Sequence, residues 1–229
     1  MPFEKGGRAD KQGNRYELNC VIYEMLKVID ETNYSVVIEA LGVDEIGTDI
    51  LVTTLDGQKE HQQCKARNAS KEYWDISDLK TKKIFSTWKI QLNRNSSRRV
   101  ALVSPMACSF LVDLHNRACN TSGKVEDFYS IQIKKSSAEF QKFYKNFCVE
   151  MSLNSNSDVG VLKSIDYLKR IFYKQISEYE LQERINQNIS YLFSSEEKVV
   201  YNALLSFVAM GNILGREITQ SVLYDYLNP

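Results

Sequence analysis

The chain has 229 residues, with 29 Lys or Arg, 29 Asp or Glu and a formal net charge of zero. With 43% apolar residues, 25% charged residues and only three prolines, it is not collagen-like, mucin-like or strongly disordered. It has no apolar run long enough for a membrane-spanning helix, and residues 1–10 lack the apolar core of a secretory signal. Five cysteines without a CxxC pair argue against a disulfide framework, so reduced thiols and a cytoplasmic location are expected.

Leu18, Ile22, Met25 and Ile29 recur at helical spacing and predict a helix over residues 11–31, with Asp10 as N-cap. β-Branched residues predict a first strand over 34–41 and a second over 49–54. Asp56 and Gly57 form a hairpin turn leading to a third strand over 61–65. A helix is predicted over 75–92, a buried strand over 100–103 and a helix over 106–120. A short edge strand over 128–133 and an aromatic-rich helix over 137–150 follow. The polar stretch at 152–158 reads as a linker between a first domain, 1–151, and a region, 159–229, expected to be entirely helical. The fold class is therefore α/β, a mixed central sheet flanked by helices and followed by a helical segment.

Charge is unevenly spread. Residues 1–58 carry 5 basic and 11 acidic side chains, while residues 59–99 carry 11 basic and 4 acidic ones. Carboxylates collect a divalent cation and neighbouring Lys and Arg hold phosphate, so this polarity suits a metal-dependent phosphodiesterase; solvated helix faces would give the same counts. The most informative residues lie where the two blocks meet. Asp49 opens one hairpin strand, and Gln63 and Lys65 share a face of the next, opposite Gln62 and Cys64. Asp49 supplies an anionic ligand and Gln63 a neutral carbonyl oxygen, a donor set suited to Mg²⁺ or Mn²⁺, while Lys65 orients water or stabilises charge on phosphate. Glu17 adds a second carboxylate if the first helix packs beside the hairpin. Arg67, Lys71 and Arg94 are candidate phosphate contacts, with Arg98 and Arg99 behind them. Trp74 and Trp88 read as core. His61 and Cys64 have no second ligand pair for zinc, Cys64 with His115 lacks an orienting group, and no Walker A motif is present.

Several motifs together resemble the PD-(D/E)xK restriction-endonuclease superfamily: GNRYE at 13–17, GTD at 47–49 and QQCK at 62–65. ARNAS at 66–70, WDISDL at 74–79 and the opening GGRAD at 6–10 are similar to N-terminal double-stranded DNA endonuclease domains of bacterial antiphage proteins, namely CBASS effectors and antiviral STAND (Avs) NTPases. The likeness spans roughly residues 5–150 and is strongest over 44–79. It implies a restriction-endonuclease-like sheet, with Asp49 and Glu17 as metal carboxylates, Gln63 in place of the second acid and Lys65 as the motif lysine. Thr48 stands where the family has Pro.

The resemblance also implies an antiphage effector that cleaves double-stranded DNA with Mg²⁺ and leaves 5′-phosphate and 3′-hydroxyl ends. Cutting both strands takes two sites, so a dimer or tetramer is the expected active form. Neither an NTPase nor a nucleotide-sensing module is recognisable, and the chain reads as the N-terminal part of a longer protein. The alternative is an inactive module that keeps the fold and serves DNA binding or oligomerisation.

Overall fold

The computed structural model describes residues 5–66 and 71–227, with side chains from Arg15 onward. Helix α1 (Lys5–Ile29) begins five residues before Asp10, which lies inside it rather than capping it. Its first turns carry no apolar period in the sequence; among the described side chains the buried stripe starts at Tyr16.

Three antiparallel strands follow, β1 (Asn33–Ile38), β2 (Ile50–Thr54) and β3 (Lys59–Cys64), in register at Val36↔Val52 and Leu51↔His61. The predicted helix over 75–92 is two helices, α2 (Ile76–Thr81) and α3 (Ile84–Arg94), separated at Lys83, whose φ of 59° is left-handed. Asp75 caps α2 in a reciprocal capping box with Asp78. Strand β4 (Arg98–Ser104) then runs parallel to β3, from Lys59↔Arg98 to Cys64↔Val103.

Helices α4 (Ser109–Cys119), α5 (Ala138–Glu150) and α6 (Asp158–Arg170) form the next crossover. The edge strand expected over 128–133 is instead a π-helical turn, Glu126–Ile133. Phe128 and Ile133, five residues apart, both enter the core, a spacing a π turn satisfies.

The region expected to be all helical supplies two strands. β5 (Ile171–Gln175) pairs parallel with β4, and β6 (Glu217–Thr219) pairs antiparallel with β1. The six-stranded mixed sheet, ordered β5-β4-β3-β2-β1-β6, therefore runs across the expected boundary at 152–158. The remaining helices are α7 (Glu178–Leu192), α8 (Glu197–Ala209) and α9 (Gln220–Leu227).

One face of the sheet packs against α2 to α6 through Val100, Leu102 and Ile171 beneath Trp74, Phe85, Trp88 and Phe147. The other face packs against α1, α7, α8 and α9 through Val36, Val52, Val103 and Ile218 beneath Ile22, Met25 and Ile185. Alternation along β4 serves both cores: Val100 and Leu102 face one, Val103 the other. Both tryptophans are core residues as expected, with the Trp74 indole N–H donating to Ser104 Oγ.

Candidate metal centre

Asp49 sits just before β2, where the ladder to β3 is completed by its side chain. Its N–H donates to the Gln62 carbonyl at 2.9 Å, and its carboxylate Oδ2 accepts the Cys64 N–H at 2.7 Å. A ladder carbonyl would otherwise take that N–H. The carboxylate is thus fixed by backbone. Lys65 Nζ reaches the same Oδ2 at 3.3 Å and the Cys64 carbonyl at 2.9 Å. Among the described residues, Oδ1 takes no hydrogen bond.

Glu17 projects from α1 toward this pair. Burial first, and then the Asp49 charge, push its carboxyl up to about 7, with Lys65 opposing and Glu39 adding to the rise. Glu17, Asp49 and Lys65 are therefore brought together. Gln63 lies on the adjoining strand beside Asp49, with its side chain opposite Gln62 and Cys64. Among the described residues its buried amide oxygen has no hydrogen-bond partner, which leaves about 1–3 kcal/mol of desolvation unrecovered.

The loop ahead of Asp49 is held rigidly. Gly47 has φ of 67°, and a Cβ there would meet the Thr87 side chain of α3 at 2.4 Å, so both conformation and space require glycine. Thr48 is buried, with Oγ1 3.0 Å from His61 Nδ1. Arg98 donates to His61 Nε2, so the ring proton sits on Nδ1 and is donated to Thr48. Burial and then Arg98 push His61 down to about 4, keeping it neutral. Arg98 also pairs with Asp44 at 2.7 Å, and Gln91 Nε2 donates to the Val43 and Ile46 carbonyls. Thr48 does by side-chain bonding what a rigid proline would do by ring closure.

The proposed phosphate contacts fare differently. Arg67 lies outside the described residues. Lys71 binds Asp75 at 2.8 Å and Asp78 at 2.9 Å. Arg94 ends α3, near where β4 begins, whereas Lys65 follows the far end of β3; six residues of strand separate the two levels, about 20 Å. The structure therefore does not bring Arg94 to the centre, and Arg98 is committed to the Asp44–His61 network.

Two features went unread in the sequence. Glu39, left-handed at φ 47°, donates its N–H to the Asp49 carbonyl and adds negative charge near Glu17. Nothing in the sequence separates it from other exposed glutamates. The second is a buried charge network. Glu24, two turns after Glu17 on α1, accepts from Lys27 at 2.9 Å, Asn33 at 2.7 Å and Gln62 at 2.9 Å, with Lys174 at 3.9 Å and Glu60 bound to Lys174. Burial alone would lift the Glu24 carboxyl, but Lys174 and Lys27 overcome it and hold the group below the usual carboxylate range. Lys174 is held upward against burial by Glu24 and Glu60.

The residues at the centre fit a hard divalent cation. The Asp49 charge crowds Glu17, and among the described residues one Asp49 oxygen accepts no hydrogen bond and the buried Gln63 amide oxygen lacks a partner. Among the described residues, no three His, Cys, Asp or Glu side chains are grouped closely enough to hold a metal by themselves. A cation here would rest on Glu17, Asp49 and the Gln63 oxygen, with water filling the other positions.

The Glu17 shift has a testable sign. A carboxyl at about 7 when folded and 4.5 otherwise loses its proton first in the unfolded chain, so stability falls as pH rises through that window. Glu17→Gln is expected to raise metal-free stability at pH 8 by about 1 kcal/mol, discounted for partial exposure, and to change little at pH 4.5. Urea unfolding at the two pH values measures this; equal effects at both would refute the crowding.

No protein-family model matches the chain, and no curated protein matches it in sequence. Its fold is similar to solved Cap4 SAVED/CARF-domain containing receptors. Against the Acinetobacter baumannii receptor with the cyclic trinucleotide 3′3′3′-cAAA, the TM-score is 0.54 at 13% identity, covering 94% of this chain and 44% of the receptor. The Moraxella osloensis receptor gives the same TM-score and identity, with 46% of its length covered. The chain thus spans less than half the length of these receptors, and at such identity the likeness is one of fold.

These neighbours are receptors, and two of the A. baumannii structures hold cyclic trinucleotides, 3′3′3′-cAAA and 2′3′3′-cAAA. That finding overturns three expectations: membership of the PD-(D/E)xK nucleases, action as a double-stranded DNA endonuclease effector, and double-stranded DNA as the partner. The dimer or tetramer required for cutting two strands loses its basis with them. A few polar residues at strand ends make a site, and a site does not establish a lineage. No described helix is long and apolar enough to cross a membrane. The chain is a mixed α/β fold similar to that of cyclic-trinucleotide receptors, with Glu17, Asp49 and Lys65 gathered at one end of its sheet.

Proposed function

We propose that the chain is a cytoplasmic module of a cyclic-oligonucleotide-linked antiviral receptor, and that Glu17, Asp49, Gln63 and Lys65 form a divalent-cation-dependent phosphodiester-hydrolysing centre within it. The supporting observation is the crowding of Glu17 against Asp49 beside Lys65, which leaves Glu17 pushed up to about 7. Glu17, Asp49 and the Gln63 amide oxygen would hold Mg²⁺ or Mn²⁺. When bound, such a cation polarises a phosphate oxygen and makes water a better nucleophile near neutral pH. Asp49 is kept in position by the Cys64 N–H, Glu17 gives up its proton as the site fills, and Lys65 stabilises the charge that develops on phosphorus-bound oxygen.

The substrate class is an oligonucleotide phosphodiester. A cyclic trinucleotide is a ring of such bonds, which makes 3′3′3′-cAAA the first compound to test. Incubated with Mn²⁺, the protein is expected to open the ring and to hydrolyse a chromogenic phosphodiester. Lys65→Ala should slow both by about 10²-fold while cation binding persists. Equal rates for wild type and variant would sink the assignment. The likeness to receptors favours a second reading, in which the ligand is sensed and not turned over; thermal stabilisation by 3′3′3′-cAAA without product would select it.

A further inference from the structure

Cys20, Cys64, Cys108 and Cys148 are buried, whereas Cys119 is exposed at the last residue of α4. His115, one helical turn earlier, lies on the same face of α4, and its Nε2 stands 3.6 Å from Cys119 Sγ. The ring is held from its other side, where His115 Nδ1 is 2.8 Å from the Leu168 carbonyl of α6. A carbonyl only accepts, so the ring proton sits on Nδ1 and the Nε2 lone pair is turned toward the sulfur. Phe172 of β5 packs against the imidazole, with 5.1 Å between ring centres. The orienting carbonyl is 53 positions away in sequence, so no local motif announces the pair.

We propose that His115 and Cys119 are half of a structural zinc site, completed by the same two residues of a second copy of the chain. Zinc bonds of about 2.3 Å to sulfur and about 2.0–2.1 Å to nitrogen, at a tetrahedral angle, hold the two donor atoms about 3.5–3.6 Å apart. The observed separation of 3.6 Å matches that span, so both side chains can ligate with little movement. A hydrogen bond from the far ring nitrogen to a carbonyl is also the arrangement that zinc-bound imidazoles take. The end of the helix contributes too, because its partial negative charge favours a cation over a free anion. On binding, Cys119 releases its proton to solvent and a sulfur–zinc bond forms. One chain does not close the coordination shell. Among the described residues no third His, Cys, Asp or Glu joins the pair, and Asp113 on the same helix is held by Arg117 at 3.0 Å. A structural zinc takes four ligands, and two-fold doubling of an exposed Cys–His pair supplies two sulfurs and two nitrogens. Two thiolates neutralise the cation, which suits a surface where Arg99 lies 5.6 Å from the centre of the Phe172 ring.

The test adds Co²⁺, a spectroscopic stand-in for zinc, to the whole chain under a phosphine reductant. Thiolate ligation gives a near-ultraviolet sulfur-to-metal charge-transfer band, which the oxygen donors of Glu17, Asp49 and Gln63 cannot produce. The band should saturate at one sulfur-bound cation per two chains, disappear when Zn²⁺ displaces Co²⁺, and accompany a cation-dependent dimer in sedimentation velocity. Cys119→Ser, at an exposed position, should abolish the band and weaken the dimer by at least about 10²-fold. His115→Gln should weaken cation binding by about 10–100-fold. Asp49→Asn should leave band and dimer unchanged, which keeps this site separate from the hydrolytic centre. Folded protein without the band at saturating Co²⁺ would overturn the proposal. So would a band that survives Cys119→Ser, is indifferent to His115→Gln, is lost in Asp49→Asn or forms on a monomer.

Discussion

Asp49→Asn is expected to lower cation-dependent phosphodiester hydrolysis by about 10³-fold or more while leaving the fold intact. The expectation separates two roles of one side chain. The Asn oxygen still accepts the Cys64 N–H that now goes to Asp49 Oδ2 at 2.7 Å, so the β2–β3 junction is kept. What disappears is the charge. Lys65 loses its ion pair and Glu17 loses the neighbour that raises its carboxyl, so Glu17 should titrate closer to the ordinary range. Hydrolysis rates, an unfolding curve and the Glu17 carbon shift against pH check the three consequences together. A folded variant with unchanged turnover would place the chemistry elsewhere.

The largest stability effect is expected at Glu24, where Glu24→Leu should cost about 3–5 kcal/mol. The carboxylate is 4% exposed and takes three charge-assisted or amide hydrogen bonds, from Lys27, Asn33 and Gln62. Removing it strands the Asn33 donor and leaves Lys174 with Glu60 alone. Because Glu24 is held below the usual carboxylate range, its contribution is complete above that range and is lost as pH falls through its folded pKa. The gap between wild type and variant in urea midpoint should therefore narrow on acidification. A gap that stays constant with pH would show that packing, and not charge, carries the effect.

Much of this was legible in the sequence, for identifiable reasons. The α1 stripe from Leu18 to Ile29, the β1–β2–β3 meander and β4 each carry a clear pattern, and all five elements appear. The strand offset that sets Gln63 and Lys65 against Gln62 and Cys64 also holds, since Gln62 and Cys64 turn toward α1. What was not legible depends on neighbours distant in sequence. β5 follows α6 without a break and β6 has three residues, so neither has a pattern of its own; pairing with β4 and β1 makes them strands. The π turn at Glu126–Ile133 mimics strand alternation. Glu24 and Lys174, 150 positions apart, meet only because the fold brings a residue of α1 beside one of β5. At the centre, residue types and spacing named Glu17, Asp49 and Lys65 together, but the lineage drawn from the same motifs did not survive comparison with solved folds. Short motifs name chemistry; the sheet order and its flanking layers describe the fold.

Calorimetric titration of Mn²⁺ into wild type and Asp49→Asn, at pH 6 and pH 8, bears on Glu17 and Asp49 together. Wild type should bind one cation per chain, more tightly at pH 8, with proton release that reports Glu17 leaving its raised state, and Asp49→Asn should show neither. Equal binding by the variant, or binding indifferent to pH with no proton released, would contradict a metal centre built on Glu17 and Asp49.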